Sequence, residues 1–174
     1  MNHNERTLNL GFAHGLKLIE YAVFRSLHDA AEKLLFSASI GKEYTGFTGN
    51  TQTSYMCGIY MNGQLVECIE QHNWHYPVIR GKVPKGKTVY LKYPYEGVGR
   101  AVEGKVHVDS LYGKDTSLNF LRRYRIPKGY YGLVMTTGTE YSELLEQVRH
   151  LDVLTYTFSV AESKLQSSWK KIPD

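Results

Sequence analysis

Cysteine is scarce in this chain, with only Cys57 and Cys68 among 174 residues. That excludes a small secreted domain stapled by several disulfides. The two thiols fall in adjacent predicted strands, where a disulfide and a pair of buried free thiols both fit. Long apolar runs are also missing. No stretch of 18 apolar residues occurs, so no membrane-spanning helix is expected. The opening residues 1–9 are polar and lack an apolar segment ending in small residues, so no secretory signal is expected. Proline is sparse, at five residues, and there is no low-complexity tract or internal repeat. A single domain is the expectation, with residues 1–13 as a flexible or docking arm and 14–174 as the folded body.

What is present suits a globular fold. Apolar residues make up 42% of the chain and charged residues 22%, which is enough for a real core. The net charge of +4 is unevenly placed. Residues 80–128 carry twelve Lys or Arg and four acids, and the remainder of the chain is acidic on balance. This asymmetry suits a polyanion partner, and it equally suits subunits that dock basic face to acidic face. Eight of the fourteen tyrosines lie between Tyr76 and Tyr131. Tyrosine in polar sequence marks either a protein contact surface or ordinary sheet packing.

Periodicity supplies the elements. Leu16, Ile19, Val23, Leu27, Ala30 and Leu34 recur at three- and four-residue steps and predict an amphipathic helix over 14–36. Asp29 and Lys33 form a favourable i,i+4 pair on it. Residues 41–53, rich in Gly, Thr and Asn, read as a loop. A hairpin follows, with strands at 54–61 and 64–70 about the turn pair Asn62-Gly63. Its first strand has bulky groups on both faces: Tyr55, Cys57, Ile59 and Met61 on one, Met56 and Tyr60 on the other. A helix is expected over one face and a neighbour over the other. Residues 71–128 read as an excursion of short strands (88–94, 101–108) and long loops, expected to order only on docking. Residues 129–136 read as a buried strand and 141–149 as a short helix. The final stretch, 151–169, has Leu151, Leu154, Phe158, Ala161, Leu165 and Trp169 at helical steps, although its first half is β-branched and aromatic enough for a strand. The fold class is therefore α+β, an antiparallel sheet packed by a long N-terminal amphipathic helix and a C-terminal helix.

Catalytic constellations are hard to find. His72 and His75 lie three apart without the glutamate and spacing of a metalloprotease helix, and no paired CxxC occurs. Cys57 sits mid-strand in a bulky run, where a thiol is inert, so pairing it with His72 or His75 as a nucleophile and base is not expected. Gly41, Gly46 and Gly49 lead into a strand, whereas a phosphate loop leads into a helix. No GxSxG elbow exists. No enzyme activity, metal or cofactor is expected. The strongest contact candidates are Arg122, Arg123, Tyr124 and Arg125, together with Lys92 and Tyr93, where cations alternate with rings. Such a pattern holds single-stranded nucleic acid, or it forms a subunit contact or a solvated loop face.

The order of motifs resembles the tail-completion and minor tail proteins of lambda-like and related tailed bacteriophages. The residues that carry the resemblance are the N-terminal amphipathic helix, the segment Thr48-Gly49-Asn50-Thr51-Gln52-Thr53-Ser54 that opens a strand, the hairpin, the segment Gly132 to Tyr141 (GLVMTTGTEY) with Glu143 and Glu146 beyond it, and the C-terminal helix. The chain departs from the pattern in the basic, Tyr-rich insertion at 71–128. It also has Tyr44-Thr45-Gly46-Phe47 where the family has Pro-Val-Asp. The resemblance implies a structural virion protein, assembled in the host cytoplasm. It would be a subunit of an oligomeric ring at the head–tail joint, in contact with portal, neck and tail proteins, through which genomic DNA passes. The alternative is a nucleic-acid-binding protein that uses residues 80–128.

Overall fold

A computed structural model describes residues 3–40, 51, 54–71, 91–92, 101–102, 112–139 and 153–170. The elements in chain order are α1 (His3–Ile40), β1 (Met56–Met61), β2 (Gln64–Glu70), β3 (Leu91–Lys92), β4 (Ala101–Val102), α2 (Tyr112–Arg123), β5 (Gly132–Thr136), α3 (Val153–Ser159) and α4 (Ala161–Ser168). The α+β class expected from the sequence is the one found.

β1 is the centre of a three-stranded antiparallel sheet in the order β2-β1-β5, and β3 pairs with β4 in a separate two-stranded sheet. The β1–β2 hairpin turns at Asn62 (φ 49°) and Gly63 (φ 83°), the left-handed pair that a type I′ turn requires. Asn62 Oδ1 also accepts from the backbone N–H of Gly129 at 2.9 Å, and the N–H of Gly63 donates to the Tyr130 carbonyl at 3.0 Å. The loop entering β5 is thereby tied to the hairpin tip.

β1 is covered on both sides. Tyr55, Cys57 and Ile59 pack into a core with Leu27, Ala31, Leu35 and Ala38 of α1, Ile69 of β2 and Val153 of α3. Burying one such side chain contributes roughly 1.5–3 kcal/mol. On the opposite face Tyr60 and Met56 are fully buried, and Tyr60 Oη donates to the Leu121 carbonyl of α2 at 2.7 Å. The neighbour expected on this face is thus α2, from the same chain. Gly58 lies between Tyr60 and α2, where an added Cβ would stand 3.0 Å from the Tyr60 ring and 3.1 Å from Leu121. Glycine at this position lets helix and sheet approach.

Several expectations need correction. The arm at 1–13 is helical from residue 3, because α1 runs through Gly11 and Gly15. Each glycine costs about 1 kcal/mol in a helix interior. Extending a helix already held by the core avoids the cost of nucleation, and no proline stops it. Part of the stripe that defined this helix is not core: Leu16 and Ile19 are exposed, whereas Leu27, Ala30 and Leu34 are buried. Within 71–128, residues 112–123 form α2 against the chain's own sheet, where strands and loops that order on docking were expected. The strand at 132–136 is half-buried along its length, as befits a strand with β1 on one side only. The C-terminal stretch is two helices meeting at Val160, and the expected apolar face is not the buried one. Phe158 is 83% and Trp169 70% exposed, while Val153, Thr157 and Ser168 are buried. The buried positions are small or β-branched because both α3 and α4 lie against α1. The helix expected at 141–149 and most of the loop at 41–53 lie outside the described residues.

α4 is held by a polar clasp. Lys33 Nζ lies 2.7 Å from Asp29 Oδ2 and donates to Ser168 Oγ at 3.0 Å. The backbone N–H of Lys170 donates to Ser26 Oγ at 2.8 Å, and Lys170 Nζ stands 3.6 Å from Asp29. The hydrogen bonds from Lys33 and Ser168 hold the Asp29 carboxyl down at about 2. A carboxyl depressed in the folded state stabilises above its unfolded value near 3.8, and this contribution is lost as pH falls through about 2. Asp29→Asn is therefore expected to lower stability by on the order of 1 kcal/mol at pH 7, after allowance for solvent screening. Thermal melts of both forms at pH 7, 4 and 2 check this, and the gap between them should close toward pH 2.

A candidate basic and aromatic contact surface

The candidate contact residues divide between two places. Arg122 and Arg123 form the last turn of α2, and Tyr124 and Arg125 follow directly. Lys92 lies on β3, opposite Ala101, and Tyr93 lies outside the described residues. The structure therefore brings Arg122, Arg123, Tyr124 and Arg125 together and leaves Lys92 on a different sheet.

Local sequence explains the arrangement. α2 begins with Asp115 in its first turn and ends with Arg122 and Arg123 in its last, matching the helix dipole at each end. This charge order was the available signal for the helix. The apolar pattern was weak because the stripe facing the sheet is Gly113, Ser117 and Leu121, which are small or polar except for the last. At the C-terminal end the Tyr124 N–H continues the helical ladder to the Phe120 carbonyl at 2.9 Å. The Tyr124 ring meets Phe120 at 5.4 Å between centroids and the buried Tyr60 edge-on at 6.2 Å. Edge-on and tilted ring pairs of this kind contribute roughly 0.5–1.5 kcal/mol beyond area. Arg125 is fixed by its own backbone, with Nη1 donating to the carbonyls of Arg122 at 2.6 Å and Tyr124 at 2.8 Å.

The result is an exposed ledge with two rings set among arginines. Arg122, Arg123, Arg125 and Lys128 are all exposed, and none has an acidic partner among the described residues. By contrast, Lys114 on the same helix is paired with Glu70. Unpaired guanidinium groups beside ring faces can take phosphate or carboxylate through forked hydrogen bonds and can accept a flat group by stacking. A shallow depression bordered by Asn119, Phe120, Arg123 and Tyr124 lies on this ledge.

Other candidates contribute structure. Cys57 and Cys68 are free. Cys57 pairs across from Ile69, whereas Cys68 pairs across from Gly58, so the two sulfurs leave opposite faces of the hairpin and cannot bond. Burial pushes the Cys57 thiol up to about 12 and raises that of Cys68, which removes both as thiolate nucleophiles near neutral pH. His72 and His75 lie outside the described residues, and no group of three potential metal ligands occurs among those described. No helix among the described residues is long and apolar enough to cross a membrane.

The two short motifs that carry the phage resemblance meet in one buried cluster, a contact with no signal in the sequence. Ser54 Oγ lies 2.7 Å from Thr137 Oγ1 and donates to the Thr51 carbonyl at 2.9 Å. Thr139 Oγ1 donates to Thr51 Oγ1 at 3.3 Å, and Ser117 of α2 donates to the Ser54 carbonyl. Gly138 sits against the Gly113 carbonyl and the Ser117 backbone so closely that any Cβ there would collide with both. The cluster anchors the start of β1, the end of β5 and α2 to one another.

The ledge depends on the Tyr60 hydroxyl, because that bond seats the C-terminal end of α2 on the sheet. Tyr60→Phe leaves the Leu121 carbonyl without its donor and is expected to cost about 1–3 kcal/mol, read as a lower midpoint in urea. Arg123→Ala, on the exposed face of the same turn, is expected to stay within about 0.5 kcal/mol of wild type.

Comparison of the chain with protein-family models, with curated proteins and with solved structures returns no match.

Proposed function

We propose that this chain is a structural subunit of an oligomeric ring at the head–tail joint of a tailed bacteriophage, with DNA passing through the ring. The observation that carries the reading is the division of α1. Its second half builds the core, and its first half displays Leu8, Leu10, Phe12, Leu16, Ile19 and Tyr21 at 44–65% exposure. Leu8, Phe12, Leu16 and Ile19 of these follow one face of the helix, and an exposed apolar stripe of that kind marks a protein interaction site. The resemblance in motif order supplies the kind of assembly. The ledge of arginines, which have no acidic partner among the described residues, suits either an acidic face of the next subunit or the phosphates of DNA. Portal, neck and tail proteins would lie above and below the ring, and the chain would reside in the virion after assembly in the host cytoplasm. The reading assigns the chain no turnover.

A second reading, a nucleic-acid-binding protein acting through residues 80–128, is favoured by one observation: Arg122, Arg123 and Arg125 lack acidic partners among the described residues. Three phosphate contacts would make affinity fall about 40-fold between 50 and 200 mM salt. Mass measurement across a concentration series, at both salt levels and with and without duplex DNA, separates the two. The ring reading expects one closed oligomer whose size does not depend on DNA. A monomer that binds DNA with the steep salt dependence above would overturn it.

A further inference from the structure

We propose that one flank of α2 is a site for an unpaired stretch of nucleic acid, with a base stacked on Phe120 and Tyr124 and the backbone phosphate on Arg123. The inference rests on the nucleic-acid reading and narrows it to single strand. It does not depend on whether the chain forms a ring.

Helical phase gathers the site. Thr116, Phe120 and Tyr124 step by four, and Asn119 and Arg123 form the neighbouring row. Residues four apart stack on one face of a helix, so two adjacent rows make one flank. All five side chains are exposed and border the same depression, of about 570 Å³. That lies within the roughly 300–1,000 Å³ of small-ligand sites. Arg122 does not share this flank. It turns to the other side of α2, where its charge partly offsets the effect of burial on the Cys68 thiol.

The rings are set in place by the fold. Phe120 and Tyr124 are 45% and 42% exposed, so each keeps ring surface in contact with solvent. Their centroids are 5.4 Å apart with planes tilted by 32°, and Tyr124 also abuts the buried Tyr60. Tyr60 is fixed in turn by its bond to the Leu121 carbonyl. Such ring platforms hold bases because every base has a flat face to stack.

Arg125 removes an obstacle to an anion at this end of the helix. The last carbonyls of a helix carry partial negative charge. Arg125 Nη1 covers two carbonyls there, those of Arg122 and Tyr124. No acid pairs with Arg123 or Arg125 among the described residues.

The mixture of groups selects among anions. An acidic peptide would use Arg123 and leave the rings and the Asn119 carboxamide without a role. A duplex offers phosphates but keeps its base faces stacked inside. An unpaired base supplies what both lack: a flat face for the rings, and an edge of donors and acceptors for a carboxamide that offers both. Its phosphate suits the guanidinium of Arg123.

The test measures binding of fluorescent oligothymidylate to the full chain at about 50 mM salt. Beside it stand oligouridylate, a duplex of equal length, an abasic strand with the same phosphates, and polyglutamate as competitor. The single strand should bind on the order of tenfold more tightly than the duplex or the abasic strand, and polyglutamate should compete poorly. Phe120→Leu should weaken single-strand binding about tenfold through loss of a stacked ring. Arg123→Ala should melt like wild type, weaken binding, and lower the slope of log affinity against log salt by about 0.7. Lys17→Ala, an equal loss of charge at an exposed position of α1, should change neither. If Phe120→Leu does not fold, the abasic strand and Arg123→Ala carry the test. This pattern with either oligonucleotide supports the inference, and the tighter of the two names the strand. Duplex or abasic binding as tight as the single strand would overturn the inference and leave the nucleic-acid reading standing. Equal losses from Lys17→Ala and Arg123→Ala would do the same, as would effective competition by polyglutamate. A chain that binds no nucleic acid at low salt would overturn both.

Discussion

Strand β1 must be dry on both faces, and the rest of the molecule is arranged around that requirement. A strand with Tyr55, Cys57 and Ile59 on one side and Met56 and Tyr60 on the other has no surface to give to water. Two covers are therefore needed. One is apolar and extended, the inner stripe of α1 completed by Val153. The other is short and close, α2, brought against the sheet by Gly58 and Gly138 and held by hydroxyl and carbonyl contacts more than by hydrocarbon. A three-stranded sheet with two edge strands is weak alone. Here the helices supply the stability.

α1 is longer than the body it packs against, since its first half is exposed and its second half is buried. Thirty-eight residues span about 57 Å, longer than a domain of this size needs. Along the excess, Leu8, Phe12, Leu16 and Ile19 lie exposed on one face and Leu10 and Tyr21 on the opposite one. The basic ledge at the end of α2 is a different kind of surface, wet, charged and ringed with tyrosine. An exposed apolar stripe and an arginine ledge differ in chemistry: contact at the first would bury area, and contact at the second would neutralise charge.

The legible parts of the fold were those written in strong local periodicity. The hairpin was plain from alternating bulk about Asn62-Gly63, and the body of α1 from its stripe, including the Asp29–Lys33 pair. α2 was hidden because the residues it turns inward, Gly113, Ser117 and Leu121, form no apolar pattern, and only the order of Asp115 before Arg122 and Arg123 pointed to a helix. The C-terminal helices were recognised but turned the wrong way: contact with α1 selects Thr157 and Ser168 over Phe158 and Trp169, and tertiary fit overrides hydrophobicity there. Of the candidate contact residues, the run Arg122 to Arg125 was legible as cations among rings. Its helical setting, the Tyr60–Tyr124–Phe120 ring contacts and the convergence of Thr51, Ser54, Thr137 and Thr139 depend on chain segments far apart in sequence, which no local pattern encodes.

Under the proposed ring, α1 is one helix with two duties, folding in its second half and assembly in its first. Amide hydrogen exchange along α1, measured at low and at high protein concentration, tests it directly. Protection at residues 22–38 should be strong and independent of concentration, because that half belongs to the core. Residues 4–21 should exchange readily in dilute solution and become protected as the chain self-associates. Equal protection of residues 4–21 at both concentrations, in samples whose masses show assembly, would contradict the claim.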